Sequence, residues 1–495
     1  MYKDATTAEI NDALQQAWQA FQEYRNFTLM QRADFLKTIA VELENTGDHL
    51  IETAMRETNL PEARLRGERS RTIFQLNSYA DACIKGDWLE ARIDTAVTTK
   101  TPAKPDLRKM LVPLGPVVVF GASNFPLAYS TAGGDTACAF AAGCPVIVKA
   151  HPAHPETSRI VANAINAATL KCKMPEGLFH HIRGTSFEVG KSLVTHPFTK
   201  AVGFTGSFAG GKQLFDWGQQ RSEPIPVFAE MGSINPVFLL PEKLNAEAET
   251  IANMYAQSIT VGVGQFCTNP GLLIGVEGES LNIFINSLGK SIELMAPAPM
   301  LHQGIAKAFH EKRAIALSQE GVNLIASADS SSKENDGLPT IATANGESFL
   351  NNSRLHQEVF GPYSLVIRCK DLQQMTEVAS KLEGQLTATL MATNKEITQN
   401  FSLVEKIKNC CGRFILNGIP TGVEVCLSMQ HGGPYPATTD SRFTSVGADG
   451  IKRFARPLAF QNWPDHLLPD ELKNDNPLGI WRTVNDELTR DKINS

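Results

Sequence analysis

A cysteine surrounded by small and turn-forming residues is the first candidate for chemistry in this sequence. Cys267 lies in the stretch GVGQFCTNPG, and Pro270 and Gly271 follow it closely. Small neighbours would leave a reagent access to sulfur, whose thiolate is a strong nucleophile. No cationic residue is adjacent in sequence, so activation would have to come from folded neighbours. Taken alone, Cys267 is better explained as an inert buried thiol, because most free cysteines are of that kind.

Two further polar residues follow apolar segments. Glu230 ends the run PVFAE, and burial of its carboxylate would tend to raise its pKa, which suits a general base. The alternative is a structural ion pair, which is favoured for an isolated carboxylate. Asn124 lies in the loop SNFP, where its amide could donate to an oxyanion or satisfy the loop backbone.

A possible phosphate site lies in FTGSFAGG, which contains Gly206, Ser207 and Gly211. A strand that turns directly into a helix offers free amides to an anion, although the GxGxxG dinucleotide pattern is absent. A phosphate site and a plain tight turn explain this stretch equally well. Lys149 closes the strand PVIVK and could reach a phosphate or a ribose. Its alternative is a strand-end lysine that extends its ammonium group into solvent.

The elements that position these residues show an alternating pattern. From residue 116, continuous apolar strands alternate with helices, which predicts an α/β fold with a parallel, doubly wound sheet. Ligands bind beyond the carboxyl ends of such strands, where ASNFP, KAHP, FTGS and AEMG all fall. Residues 7–82 show helical periodicity, with Thr28 as a helix cap, and residues 88–115 are predicted to be extended. Residues 235–430 repeat the α/β pattern less clearly.

Composition excludes several classes of protein. The 495 residues are 42% hydrophobic and 20% charged, with a net charge of −6 and no basic block, which argues against a nucleic-acid partner. The nine cysteines are odd in number, and neither CxxC nor a zinc-type spacing occurs. We therefore expect no metal site and no disulfide framework. The N-terminus lacks a signal-peptide core, so a soluble cytoplasmic protein without a membrane partner is predicted.

The order in which these motifs occur resembles that of a known family, although no single motif is specific enough to indicate it. From about residue 10 to the end, the chain resembles the aldehyde dehydrogenase superfamily at six successive stretches: PLGPVVVFGASNFP, PVIVKAHPAHPETS, FTGSFAGG, FAEMGSINP, GQFCTNPG and EVFGP. The resemblance implies that Cys267 attacks an aldehyde carbon, giving a thiohemiacetal and then a thioester. Asn124 would hold the oxyanion, and Glu230 would activate the water that releases the acid.

The resemblance also implies a nicotinamide cofactor. Lys149 would bind the adenosine ribose or its phosphate, and Gly206, Ser207 and Gly211 would lie near the pyrophosphate. Glu358 would hold the nicotinamide ribose, with Phe360 near the ring.

Two departures from the family pattern bear on the cofactor and on the base. The family's carboxylate after the strand lysine is replaced by Ala150-His151-Pro152, which predicts that NADP is preferred and NAD is possible, with His151 or His154 near the 2′-phosphate. The family's Gly-Gly-Lys after the base is replaced by Gly232-Ser233-Ile234. The sequence therefore leaves open which residues anchor the segment around the base.

Longer matches indicate a substrate. HPAHPETS, NGIPTGVEVC and HGGPYPATTDSR resemble bacterial dehydrogenases of 2-oxoglutarate semialdehyde (2,5-dioxopentanoate). The distal carboxylate of that substrate needs a cation or polar partners, and Arg442 is the candidate, with a surface arginine as an equal alternative. Longer aliphatic aldehydes are the second substrate class. A catalytically silent binding relative is the third interpretation, against which intact Cys267, Glu230 and Asn124 speak.

The resemblance finally implies three units and an oligomer. The cofactor-binding domain is predicted from residues 1–83, 103–229 and 431–457, and the catalytic domain from residues 230–430. A small β oligomerisation arm is predicted from residues 84–102 and 458–495. A homodimer or homotetramer is expected, in which the arm adds a strand to a neighbour's sheet.

Overall fold

The computed structural model describes residues 3–328 and 333–493, which form fifteen α-helices and nineteen β-strands. The helices are α1 (Thr7–Tyr24), α2 (Leu29–Glu44), α3 (Gly47–Thr58), α4 (Glu62–Lys85), α5 (Gly134–Ala142), α6 (Pro155–Lys171), α7 (Phe187–Thr195), α8 (Phe208–Gln219), α9 (Pro241–Thr260), α10 (Glu279–Glu293), α11 (Gln303–Leu317), α12 (Gly346–Asn351), α13 (Leu372–Lys381), α14 (Asn394–Gln399) and α15 (Phe401–Cys410). The strands are β1 (Arg92–Asp94), β2 (Leu107–Pro113), β3 (Val117–Phe120), β4 (Val146–Lys149), β5 (Phe179–Ile182), β6 (Ala201–Thr205), β7 (Val227–Glu230), β8 (Val237–Leu239), β9 (Leu272–Val276), β10 (Ala298–Pro299), β11 (Asn323–Ser327), β12 (Asp336–Gly337), β13 (Thr340–Asn345), β14 (Tyr363–Cys369), β15 (Gln385–Met391), β16 (Cys411–Leu416), β17 (Ala455–Gln461), β18 (Arg482–Val484) and β19 (Glu487–Thr489).

Four helices precede the first strand, as the periodicity of residues 7–82 predicted. The Thr28 side chain accepts a hydrogen bond from the Gln31 backbone N–H, and Gln31 reciprocates, so the predicted cap of α2 is confirmed as a capping box. Helix α4 is the one that matters for the site, because its residues line the cavity beside Cys267. It ends at Gly86, whose φ of 70° is the left-handed conformation that glycine tolerates best.

The first sheet has the strand order β5-β4-β3-β6-β7, and all of its neighbouring pairs are parallel. Its central strand β3 is buried along its whole length, because helices cover both faces. The predicted parallel α/β sheet is therefore confirmed. The carboxyl ends of β4 and β7 lie at one edge, which places Lys149 and Glu230 on the side where such sheets bind ligands.

The second sheet has the order β11-β13-β14-β9-β8-β15-β16. Its neighbours are parallel except β11 and β13, which are antiparallel. Two apolar clusters cover it, one containing Phe238 and Phe349 and the other containing Tyr255 and Phe284. This sheet holds the loop of Cys267, which lies between α9 and β9.

A third sheet, which we call the arm sheet, has the order β17-β2-β1-β18-β19. It joins residues 92–94 to the C-terminal strands β18 and β19. It also includes β2 and β17, whereas the sequence predicted residues 107–113 and 455–457 for the cofactor-binding domain and residues 458–461 for the arm. The sheet is extended because β2 and β17 pair although they lie far apart in the sequence. None of the helices in the described parts of the chain is both long and apolar enough to cross a membrane.

Candidate active site

Three reactive side chains from distant parts of the chain meet at one point. The Cys267 Sγ atom lies 3.5 Å from Nε2 of His431, and the same Nε2 lies 3.1 Å from Oε1 of Glu230. The reactive atoms of all three lie within 4.8 Å of one another. The side chains of His431 and Glu230 are only 1% and 4% exposed, so water does not weaken their interaction. The structure therefore confirms that Glu230 and Cys267 are neighbours and adds a histidine to them.

The backbone before Cys267 is tightly turned. Gly262, Val263 and Gly264 all have positive φ angles, of 56°, 57° and 64°. At Gly264 an added Cβ would lie 2.4 Å from the Gly361 carbonyl, so only glycine fits against that loop. Val263 is β-branched, so its left-handed conformation costs about 1–3 kcal/mol and requires support from its surroundings. The turn aims Cys267 back toward the first sheet.

The segment after Glu230 is anchored by amide side chains. The Asn235 Nδ2 atom donates to the carbonyls of Cys267 and Asn269, each at 2.9 Å. The Gln385 Oε1 atom accepts from the Ile234 backbone N–H at 2.8 Å and from the Ser233 hydroxyl at 3.0 Å. These bonds tie the base and nucleophile segments to β15. They supply the local anchoring that the sequence left open at Gly232-Ser233-Ile234.

The surroundings shift the pKa values of Glu230 and Cys267 in opposite directions. Burial raises the pKa of Glu230, but the His431 charge and hydrogen bonds from His431, Ser445 and Cys267 outweigh it, so its pKa falls below the ordinary value. The Ser445 hydroxyl donates to Oε2 at 2.7 Å, whereas Oε1 has no well-aligned hydrogen-bond donor among the described residues. Burial, and then the Glu230 charge, raise the pKa of Cys267 well above its ordinary value. The thiol is thus held neutral beside an ionised carboxylate.

This arrangement predicts how Cys267 is alkylated. We expect its rate with iodoacetamide to be still rising at about pH 9, because its raised pKa keeps the thiolate scarce below that value. In Glu230→Gln the repulsive charge is gone, so the pKa of Cys267 falls and alkylation at neutral pH becomes faster. Mass spectrometry of the Cys267 peptide measures both rates, with exposed Cys426 as the internal control. A slower reaction in Glu230→Gln would contradict the expected charge effect.

Asn124 is also brought to this site. It follows β3, and its Nδ2 atom donates to the Gln265 carbonyl at 3.1 Å, two residues before Cys267. A primary amide carries two N–H donors, and this hydrogen bond uses one of them. The second donor takes no part in that bond.

Glu358 and Phe360 line a second cavity together with Ser233 and Phe266. The Glu358 carboxylate packs on Gly232, where an added Cβ would lie 2.6 Å from Oε2. Burial raises the pKa of Glu358, and its charge contributes to the raised pKa of Cys267. The predicted nicotinamide-ribose residue therefore lies on the Cys267 side of the second sheet.

The predicted phosphate turn begins a helix. The Ser207 hydroxyl caps α8 by accepting from the Gly210 N–H at 3.2 Å, which satisfies one of the free N–H groups at the helix N-terminus. Close packing alone also explains why glycine occurs at these two positions. An added Cβ at Gly206 would lie 2.6 Å from the Phe204 ring, and one at Gly211 would lie 2.6 Å from Met231.

Lys149 and the histidines that follow it lie at the end of β4. Lys149 forms no ion pair within the part of the chain that the structure describes. Burial, and then nearby positive groups, lower the pKa of His151 well below its ordinary value, so its ring is neutral and can donate one N–H. His154 is fully buried and its Nε2 lies 2.8 Å from the Ala122 carbonyl. His154 therefore supports the loop after β3, and His151 remains the histidine for a ligand.

Comparison with known proteins agrees with this geometry. A sequence profile described as the aldehyde dehydrogenase family matches residues 1–435. The chain belongs to the aldehyde dehydrogenase family. Members of this family use NAD(P), and the chain is an enzyme of that type.

Two curated relatives in this family match nearly the whole chain. An alpha-ketoglutaric semialdehyde dehydrogenase of Acinetobacter baylyi is 46% identical over 99% of this chain and 93% of its own. The alpha-ketoglutaric semialdehyde dehydrogenase 2 of Azospirillum brasilense is 47% identical over 97% of this chain and 91% of its own. A solved 1-pyrroline-5-carboxylate dehydrogenase from Thermus with bound NAD superposes with a TM-score of 0.78 over 93% of this chain and 86% of its own, at 21% identity, which confirms the aldehyde dehydrogenase fold.

One residue predicted for the substrate site lies elsewhere. Arg442 is 79% exposed, and its guanidinium binds Asp440, with Nη2 to Oδ2 at 2.6 Å. It is not among the residues that line the cavity beside Cys267. The structure therefore does not bring Arg442 together with the nucleophile, and it fits the alternative of a surface arginine.

Sequence reasoning missed His431. Its stretch HGGPYPATTDSR carries part of the resemblance, and nothing in its pattern marks the histidine as a neighbour of Cys267. The sequence offered only a weak indication of His431, which directly precedes two glycines. It lies 164 residues after Cys267 in the chain. Only the fold of the aldehyde dehydrogenase family brings that loop to the thiol.

Proposed function

We propose that the enzyme oxidises 2-oxoglutarate semialdehyde to 2-oxoglutarate with NADP as the oxidant. The observation that carries the chemistry is the contact of Cys267 Sγ with Nε2 of His431, which in turn contacts Glu230. The substrate is supported by the names of the two curated relatives, which match nearly the full chain at 46% and 47% identity.

The first half of the reaction forms a bond to sulfur. The thiol proton of Cys267 passes to the Glu230–His431 pair, and Sγ attacks the aldehyde carbon. The Asn124 amide and the Cys267 backbone N–H stabilise the oxyanion of the thiohemiacetal. A bound nicotinamide would supply the hydride acceptor, and loss of hydride from that carbon would leave a thioester on Cys267.

The second half breaks the carbon–sulfur bond. Glu230, whose Oε1 has no aligned donor, takes a proton from water, and the resulting hydroxide attacks the thioester carbonyl. Asn124 again stabilises the oxyanion, and Sγ leaves and is reprotonated by the Glu230–His431 pair. The products are the carboxylate, the reduced cofactor and two protons.

The residues at the end of β4 and the start of α8 fit NADP. The α8 N-terminus offers amide donors to a pyrophosphate, and Ser207 caps it. No acidic side chain occurs between Lys149 and His154, so nothing in that segment repels a 2′-phosphate. Lys149 and His151 would hold this phosphate, the lysine by its charge and the histidine by an N–H.

We expect Lys149→Ala to raise KM for NADP by about 10- to 100-fold and KM for NAD by much less. The reason is that the variant loses a charged donor to a phosphate that NAD lacks. Initial rates with both cofactors measure the split, with Lys307→Ala, an exposed lysine on α11, as the control. An equal rise for both cofactors would place Lys149 at the ribose instead.

We also propose a cytoplasmic homodimer or homotetramer. The arm sheet supports it, because its edge strand β19 is accessible for pairing with a neighbouring copy. Light scattering coupled to gel filtration measures the mass, and a monomer at working concentration would contradict this proposal.

Reduction of NADP in the presence of aldehydes tests the function. We expect kcat/KM for 2-oxoglutarate semialdehyde to exceed that for pentanal, which has the same carbon chain but no acid group. The opposite order would favour an aldehyde dehydrogenase of longer aliphatic aldehydes. A folded protein that binds NADP and oxidises no aldehyde would favour the silent relative.

A further inference from the structure

The cavity beside Cys267 contains more positive charge than its surroundings neutralise. It has a volume of about 390 Å³, and its lining includes Cys267, Tyr129 and two arginines of α4, Arg64 and Arg71. The aromatic rings of Phe125 and Phe266 form much of the rest, as is usual for a small-molecule site with a few polar anchors.

The charge of Arg64 is already paired. Its Nη1 atom lies 2.7 Å from Oε2 of Glu68, whose other oxygen accepts the backbone N–H groups of Leu127 and Ala128. The guanidinium also lies over the Phe125 ring, 4.3 Å from its centre. Arg64 therefore shapes the cavity wall and offers no free charge.

Arg71 lies two helical turns further along α4 and has no acidic partner among the described residues. Its Nη1 donates to the Val423 carbonyl, and its Nη2 lies 3.5 Å from the Tyr129 hydroxyl. Its Nε–H is buried and meets no acceptor in the described chain. An arginine has five N–H donors, so most of the Arg71 fork is without a partner, and a half-buried cation in that state lacks a counter-ion.

Arg413, on β16, approaches the same loop from the other side of Val423. Its Nη1 donates to the Gly422 carbonyl at 2.9 Å and its Nη2 to the Pro420 carbonyl at 2.5 Å. Its Nε–H is also buried without an acceptor in the described chain, and it forms no ion pair there. Burial lowers the pKa of Arg413, while the charges of Cys267 and Tyr129 act to raise it, so this guanidinium is within electrostatic reach of the nucleophile.

Tyr129 connects this pair of arginines to the reacting atoms. Its hydroxyl faces Arg71, and its ring centre lies 6.4 Å from that of His431. A ligand in the cavity therefore meets both the nucleophile and Arg71, whose guanidinium has no counter-ion in the described chain. Such groups bind carboxylates strongly, because the planar fork matches two carboxylate oxygens.

We infer that Arg71, assisted by Arg413, binds the acid group of the substrate at the end of the cavity away from the aldehyde. This inference rests on the proposed function and deepens it, because it assigns the residues that select a semialdehyde acid over an uncharged aldehyde. Arg71 contacts the carboxylate directly, and Arg413 holds the loop of residues 420–423 and adds its positive field.

The test compares two aldehydes in matched variants. In Arg71→Gln we expect KM for 2-oxoglutarate semialdehyde to rise by about 10- to 100-fold, while kcat/KM for pentanal changes by less than about threefold. Glutamine keeps an N–H donor for the loop but removes the charge. Arg71→Lys should restore part of the loss, and Arg442→Ala, a surface arginine, should leave both substrates unchanged. Equal losses for both aldehydes, with no rescue by lysine, would overturn the inference and show a purely structural arginine.

A binding readout separates this inference from the proposed function. Glutarate, an unreactive dicarboxylate, should slow the alkylation of Cys267 by iodoacetamide in the wild-type enzyme, and this protection should weaken about tenfold or more in Arg71→Gln. Protection that depends on Arg71 would support the acid site even if the semialdehyde proved not to be oxidised. Oxidation of the semialdehyde, with glutarate protection unchanged in Arg71→Gln, would uphold the function and reject this site.

Discussion

Replacement of Cys267 by alanine is expected to lower kcat for aldehyde oxidation by roughly 10⁴-fold or more, to the limit of detection. The reason is that an aldehyde cannot readily lose hydride until a nucleophile has added to its carbon, and the other groups of the site act on that adduct. Stopped-flow absorbance of the reduced cofactor measures both the first turnover and the steady state. The first turnover should disappear together with the steady-state rate.

The matched control is Cys426→Ala, which removes an exposed thiol from the same chain. It should keep the wild-type rate, and both variants should retain cofactor binding in a fluorescence titration. Substantial turnover in Cys267→Ala, with an intact fold, would remove sulfur chemistry from the mechanism.

Replacement of His431 by glutamine is expected to lower kcat/KM by roughly 10²- to 10⁴-fold, the usual contribution of a proton-transfer group. Glutamine retains an amide N–H of similar reach but cannot exchange a proton. The pH profile should change as well. The low pKa of Glu230 depends on His431, so the pKa of Glu230 rises in the variant and activity is lost at a higher pH on the acid side.

His466→Asn is the control for this prediction, because His466 is an exposed histidine on the C-terminal segment. Its pH–rate profile should match that of the wild type. If His431→Gln lowered activity without moving the acid limb, His431 would act by packing and not through the charge on Glu230.

Local patterns explain which predictions from sequence were confirmed. The buried parallel strands around β3, the helices of residues 7–82 and the cap at Thr28 depend on neighbouring residues, whose spacing is visible in sequence. Strand β5 was not predicted, because its two histidines interrupt the apolar run that marks the other strands of its sheet. The pairing of β2 with β17 joins segments more than three hundred residues apart, and no local pattern indicates it.

By itself, the sequence determined the fold class, because the alternation of apolar strands and helices is a local pattern. It predicted Cys267 as the nucleophile and Glu230 as the base only through the order of several motifs that resembles the aldehyde dehydrogenase family. The tertiary structure alone decided that His431 touches both catalytic groups, and that Asn235 and Gln385 hold their segments in place. It also places Arg71 in the lining of the cavity beside Cys267 and leaves Arg442 exposed and paired with Asp440. These features depend on contacts between residues that are far apart in the chain. Such contacts are set by how whole helices and strands pack together, and no short stretch of sequence specifies that packing.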